Sequence, residues 1–337
     1  MKKLLASTIL VTGFTLAAAA GASSANAAET CGNISIAEMN WASAGVAAYV
    51  DKFIMENGYD CTIDIVTGDT TPTFTSMNEK GQPDMAPEMW VNTLGSPYEE
   101  AVKSGNLIQE VKILNDGGVE GWWIPKYLAD AHPDIKTVED ALKHPELFPA
   151  PEDASKGAVF GCPPGWGCQP TTANLFKARK ADEKGFTLVD TGSGAGLDGS
   201  ISNAYEKKQG WLGYYWAPTA ILGKYDMVKL EDGVELDREA YDNCIAKPDC
   251  ADPKPNAYPV AEVFTVVTKE FAEKAGPSVE YVKKRQWGND TVAEVLAWMD
   301  ENQGTNEDGA AYFLENHEDI WTKWVSPEVA EKIKASM

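Results

Sequence analysis

Six cysteines constrain this chain more than any other feature: Cys31, Cys61, Cys162, Cys168, Cys244 and Cys250. An even count in an oxidising compartment reads as three disulfides. Two pairs share the spacing C-x5-C, so Cys31-Cys61, Cys162-Cys168 and Cys244-Cys250 is the simplest of the roughly fifteen pairings open to six cysteines. No pair has the C-x2-C spacing of thiolate zinc sites, and no metal is expected. The loop GCPPGWGC, Gly161 to Cys168, stands out. A bridge there closes a tight ring that fixes the backbone around Trp166 and carries its indole on a rigid support. An aromatic face beside free backbone N–H groups suits a small molecule with a methylated cation at one end and an anion at the other. Taken alone, the motif leaves a packing loop and a binding loop equally open.

The oxidising compartment follows from the N-terminus. Lys2 and Lys3, the apolar run LLASTILVTGFTLAAAA and the small residues Ala25 and Ala27 read as an export signal over residues 1–27. No later run approaches the roughly 20 apolar residues that span a bilayer. A periplasmic protein, monomeric, is expected. The remaining length exceeds one core, so two lobes are the default. A formal charge of -22 repels nucleic acid and anionic membrane and argues against both as partners.

Apolar patterning predicts an α/β chain. CGNISIAEMNW, VAAYVDKFIMENG and YDCTIDIV read as strand, helix and strand, with Gly58 as the helix stop. MAPEMW, GWWIPKYL, AVFGCPP, FTLVDTG, GWLGYYW and AEVFTVVTKEF are further strands separated by helical segments. From Met227 to Pro259 the pattern turns acidic and Pro-rich, a hairpin or long excursion clipped by Cys244 and Cys250. Three helices follow. The lobes are expected at residues 28–115 with 258–337, and at 116–257.

Catalytic signatures are missing. GAGLDG, Gly194 to Gly199, matches a dinucleotide fingerprint in form, but in an exported chain it reads as a loop opening a helix near a cleft. His132, His144 and His317 are scattered and read as surface residues. Asp242, Asp249 and Asp252 lack the spacing of an EF-hand loop and read as a solvated acidic segment. No cofactor is implied. The signal lies in the eleven tryptophans. Trp287, Trp298, Trp321 and Trp324 fall on the C-terminal helices and read as packing, as do Trp122, Trp123 and Trp211 beside strands. Trp41, Trp90, Trp166 and Trp216 differ: each sits at a strand end or in the loop beyond it, where open α/β sheets present their binding crevice.

GCPPGWGC, YYWAPT (Tyr214 to Thr219) and the early EMNW and PEMW segments resemble the periplasmic glycine-betaine-binding proteins of the ProX/OpuAC type, in order along the mature chain. The resemblance implies a two-lobe, hinged binding protein of type II, with the clipped excursion in the second lobe, that delivers a methylated onium osmolyte to an ABC permease. It implies a cage of Trp90, Trp166 and Trp216 around the quaternary ammonium, with the backbone N–H groups of Gly167 and Cys168 taking the anionic end. Trp41 looks like a fourth wall, as in relatives that bind trimethylamine N-oxide. The sequence departs from the family at Leu94, where a carboxylate-binding His is expected. Glu88 is the nearest charged group, read as favouring the cation or bonding a hydroxyl. Glycine betaine leads, with trimethylamine N-oxide, dimethylsulfoniopropionate and choline close behind. The rival reading is an exported carbohydrate-active enzyme that uses its tryptophans as sugar platforms and paired carboxylates as acid and base.

Overall fold

A computed structural model describes residues 31–337; the expected export signal lies outside the described residues. The chain opens with β1 (Asn33–Met39), α1 (Ala42–Tyr59) and β2 (Thr62–Gly68). The two strands run parallel and in register from Asn33 against Thr62 to Met39 against Gly68. Cys31 and Cys61 therefore start neighbouring strands, with Cα atoms 4.7 Å apart, and their disulfide closes the unit at that end. The helix stops one residue later than Gly58: Asp60 takes the left-handed cap, at φ 58°. Gly58 serves packing instead, since a Cβ there would lie 2.9 Å from Val329 on the C-terminal helix.

α2 (Thr70–Lys80), β3 (Met85–Trp90), α3 (Gly95–Ser104) and β4 (Leu107–Lys112) complete the first pass. The chain then leaves this sheet and builds a second from β5 (Val119–Pro125), β6 (Gly157–Phe160), β7 (Phe186–Val189), β8 (Gly213–Ala217) and β9 (Met227–Lys229), in the order β7-β6-β8-β5-β9. It returns with β10 (Val263–Thr268), which inserts antiparallel between β3 and β4 to give β2-β1-β3-β10-β4. Every residue of β10 is buried, so its sequence, VFTVVT, does not alternate, and the buried Thr265 donates to Pro87 O at 3.0 Å.

The two passages between sheets lie side by side. Gly118 and Ala261 exchange backbone hydrogen bonds of 2.9 and 3.0 Å. Asn92 holds the second passage, donating to Val260 O at 2.9 Å and accepting from Glu262 N at 2.7 Å. Between β9 and β10 the acidic stretch forms no hairpin. Its residues Arg238–Ala240 and Tyr241–Ile245 are helical, and Asn174 donates to the carbonyls of Ile245 at 3.0 Å and Lys247 at 2.7 Å beside the Cys244–Cys250 bridge. Asp242 pairs with Arg238 and Asp252 with Lys254 instead of converging. Among the described residues no three metal-ligating side chains come together.

Helices Asn289–Asn302, Asn306–Asn316 and Pro327–Lys334 pack against α1, with Trp287, Trp321 and Trp324 buried between elements. His317, expected at the surface, is half-buried and stacks on Phe313 at 5.4 Å. Among the described residues no helix is long and apolar enough to cross a membrane.

Candidate functional site

Four strand ends converge on one cavity between the sheets. Trp41 caps α1 just beyond β1, Trp90 closes β3, Trp166 sits in the Cys162–Cys168 loop beyond β6, and Trp216 lies near the end of β8. All four line the same cavity. Trp41 meets Trp166 at 5.3 Å and 70°, and Trp166 meets Trp216 at 4.9 Å and 84°. Edge-to-face contacts of this kind satisfy the ring quadrupoles and turn the faces into walls at right angles. The space left between the rings is small, about 30 Å³, and a larger cavity of about 490 Å³ shares Trp41 and Trp216 with it. No Lys or Arg lines the smaller space.

The walls are fixed from behind. Trp166 Nε1 donates to Asn40 Oδ1 at 2.5 Å, linking the loop of one sheet to a strand end of the other. Gly167 lies so close to Thr93 that a Cβ would sit 1.8 Å from Thr93 Oγ1, so no larger residue fits. Gly118 plays a similar part in the first passage between sheets, where a Cβ would fall 2.2 Å from the Trp90 ring. Gly167 and Cys168, both lining the cavity, form the N-terminus of helix Cys168–Ala178, which no side chain caps. The N–H groups of Gly167 and Cys168 are therefore free for an anionic ligand atom, while Gln169 N donates to Trp166 O at 3.2 Å.

Glu88 stands behind the indoles rather than among the cavity walls. It is fully buried, and its Oε1 accepts from Trp41 Nε1 at 2.7 Å, Trp90 Nε1 at 2.9 Å and Ser43 Oγ at 2.9 Å. The carboxyl that does line the cavity is Glu120, which the sequence reading passed over. β5 runs antiparallel to β8 with Glu120 directly opposite Trp216, and Tyr214 Oη donates to Glu120 Oε1 at 2.8 Å. Burial pushes the Glu120 carboxyl up to about 7, against the opposing effect of the Tyr214 bond. Thr70, Thr93 and Tyr214 complete the lining, and Thr93 Oγ1 is buried with no partner among the described residues. Leu94, in the place of the expected His, is buried and lies outside this lining. The GAGLDG segment opens helix Gly194–Lys207, and Gly194 packs close to the Trp166 ring.

The family described as the substrate-binding domain of the ABC-type glycine betaine transport system, OpuAC, matches residues 32–316. The chain belongs to this family. Its fold is that of a type II periplasmic binding protein, shared with the glycine betaine/L-proline-binding protein ProX of Borrelia burgdorferi at TM-score 0.70 and 18% identity, over 89% of this chain and 99% of that one. Lactococcal OpuAC in its closed form with glycine betaine superposes at 0.66 and 18% identity, over 87% and 99% of the two chains. An ABC-transporter choline-binding protein in complex with choline gives 0.68 at 16% identity, over 91% and 99%. The family is one of substrate-binding components of importers, not of enzymes.

Proposed function

We propose that this OpuAC-family protein is the periplasmic binding component of an ABC importer for a methylated onium osmolyte, and that Trp41, Trp90, Trp166 and Trp216 form the cage for the cationic group. The observation that carries the reading is the meeting of these four indoles, from four separate strand ends, around one small cavity without a basic residue. A trimethylammonium or dimethylsulfonium group has no N–H to donate, so recognition of its charge falls to aromatic quadrupoles, at ~0.5–2 kcal/mol per face. The lobes, 28–115 with 258–337 and 116–257, would close over it as a monomer delivers it to the permease. Membership of a family of transport substrate-binding domains speaks against the carbohydrate-active enzyme reading.

The polar side of the cavity orders the candidate ligands. Thr93 Oγ1, the N–H groups of Gly167 and Cys168, and Glu120 in its acid form all donate. Such a set suits an oxygen attached close to the onium centre, as in trimethylamine N-oxide, ahead of glycine betaine, dimethylsulfoniopropionate and choline. Calorimetric titration with all four, repeated across pH, tests this. Because the Glu120 carboxyl titrates at about 7, it is an acid below that pH and donates to the N-oxide oxygen. Trimethylamine N-oxide affinity should therefore fall as pH rises through about 7. Choline, whose hydroxyl and charge favour a carboxylate, should bind more tightly over the same interval. A rise in N-oxide affinity with pH would assign Glu120 another role, and saturable binding of none of the four would sink the ligand class.

A further inference from the structure

Glu88 uses its buried carboxylate in a way that packing does not require. One oxygen, Oε1, takes three donors, and two of these are the indole N–H groups of Trp41, at the start of α1, and Trp90, at the end of β3. The other oxygen, Oε2, is buried and has no partner among the described residues. A proton placed on Oε2 would have nothing to donate to, whereas the anion is served by three donors at Oε1. The nearest opposing charge is Arg285, also fully buried, which is already paired with Asp51 at 2.8 Å and donates to Pro87 O at 3.4 Å. Burial pushes the Glu88 carboxyl up; the bonds from Trp41, Trp90 and Ser43 oppose that rise, and the Arg285 charge, held by Asp51, opposes it least. When Glu88 and Asp51 are both ionised, one negative charge remains behind the cavity wall, on the side where two of the four indoles are rooted.

A carboxylate at an indole N–H does two things. It fixes the rotation of the ring about its side-chain bonds, and through a charge-assisted bond it pushes electron density into the ring, which strengthens the negative face that a cation meets. We propose that Glu88 is a positioning residue that holds the Trp41 and Trp90 faces in place and sets the preference of the cavity for a cation over an uncharged ligand of the same shape. The inference rests on the cage reading given above. Its site of action differs from the one the sequence suggested: Glu88 works through the indoles, without touching the ligand.

The test separates position from charge. Glu88→Gln keeps an acceptor for the indoles and removes the charge; Glu88→Ala removes both. Tetramethylammonium and its uncharged near-isostere tert-butanol are titrated into each protein by NMR, and near-ultraviolet circular dichroism of the ligand-free proteins reports the tryptophan environment. Glu88→Gln should keep most of the ligand-free spectrum, lose about tenfold in tetramethylammonium affinity and bind tert-butanol within about twofold of the parent. Glu88→Ala should weaken the sharp tryptophan bands before any ligand is added. Equal losses for both ligands in Glu88→Gln, or no change in either, would overturn the proposal, as would an unaltered ligand-free spectrum in Glu88→Ala. Should Glu88→Ala not fold, the affinity ratio of Glu88→Gln decides alone. A parent protein that does not bind tetramethylammonium would remove the cage reading and the ligand preference with it, while the ligand-free spectra still decide whether Glu88 orients the rings.

Discussion

Trp41, Trp166 and Trp216 are each less than a tenth exposed, yet their rings face a cavity rather than one another's backs. Their contribution to stability and to binding should therefore be separable from that of the packing tryptophans. Replacing any one of Trp41, Trp90, Trp166 or Trp216 with Ala should weaken onium binding by ~1–3 kcal/mol, tenfold to a hundredfold. Phe should recover part of the loss, since it keeps a weaker quadrupole. Trp321 makes the control. It is wholly buried and donates to Leu314 O at 2.8 Å, away from the cavity. Its replacement by Ala should cost ~3–5 kcal/mol of stability and leave affinity largely intact. Paired urea denaturation and titration of the five variants check both halves; parental affinity in all four cavity variants would place the site elsewhere.

At the scale of elements, the two kinds of disulfide do different work. Cys31–Cys61 spans 30 residues and ties two strand starts, whereas Cys162–Cys168 spans 6 and frames Trp166. Chain entropy favours the longer closure by about 1–1.5 kcal/mol. The Cys162→Ser, Cys168→Ser double variant should lose about tenfold in affinity with the smaller drop in urea midpoint; Cys31→Ser, Cys61→Ser should show the larger drop and near-parental affinity. Equal effects of both pairs on affinity would deny the short loop its special role. The same contrast explains what could be read from the chain. The spacing of the cysteines and a tryptophan at four strand ends are local signals, so the bridges and the aromatic walls were visible in the sequence. Glu120 was not, because what makes it a wall is the antiparallel register of β5 on β8, which sets it across from Trp216. Glu88 was visible as a charge beside Trp90, but its second indole, Trp41, comes from β1 and α1, and only the order β1-β3 in the sheet brings the two together. Of the two readings of the acidic stretch, the long excursion clipped by Cys244–Cys250 holds and the hairpin does not, because its helical turns are held by Asn174, a residue some 70 positions earlier.

In the molecule as a whole, the two sheets meet through few polar contacts. Asn40 reaches Trp166, Thr71 N donates to Gly165 O at 3.3 Å, and Lys224 pairs with Asp300 at 2.8 Å. Lys224 and Asp300 are both substantially exposed, so their pair contributes ~0–1 kcal/mol. A neutral hydrogen bond adds about as much. Apolar packing adds to these, since Trp41 meets Trp166 across the gap; we expect a ligand that touches walls from both sides to shift the lobes from a more open arrangement toward this one. We propose the passages at Gly118 and Ala261 as the pivot; the Trp90 ring lies against Gly118, so closure about it would carry Trp90 along. Small-angle scattering should show a smaller radius of gyration with saturating ligand than without. Asn40→Ala, which removes the bond across the gap to Trp166, should weaken binding while leaving the liganded radius at the parental value, because the ligand then closes the lobes at greater cost. An unchanged radius alongside confirmed binding would mean that the free protein is already closed, and that selection of the ligand occurs at entry rather than through hinge motion.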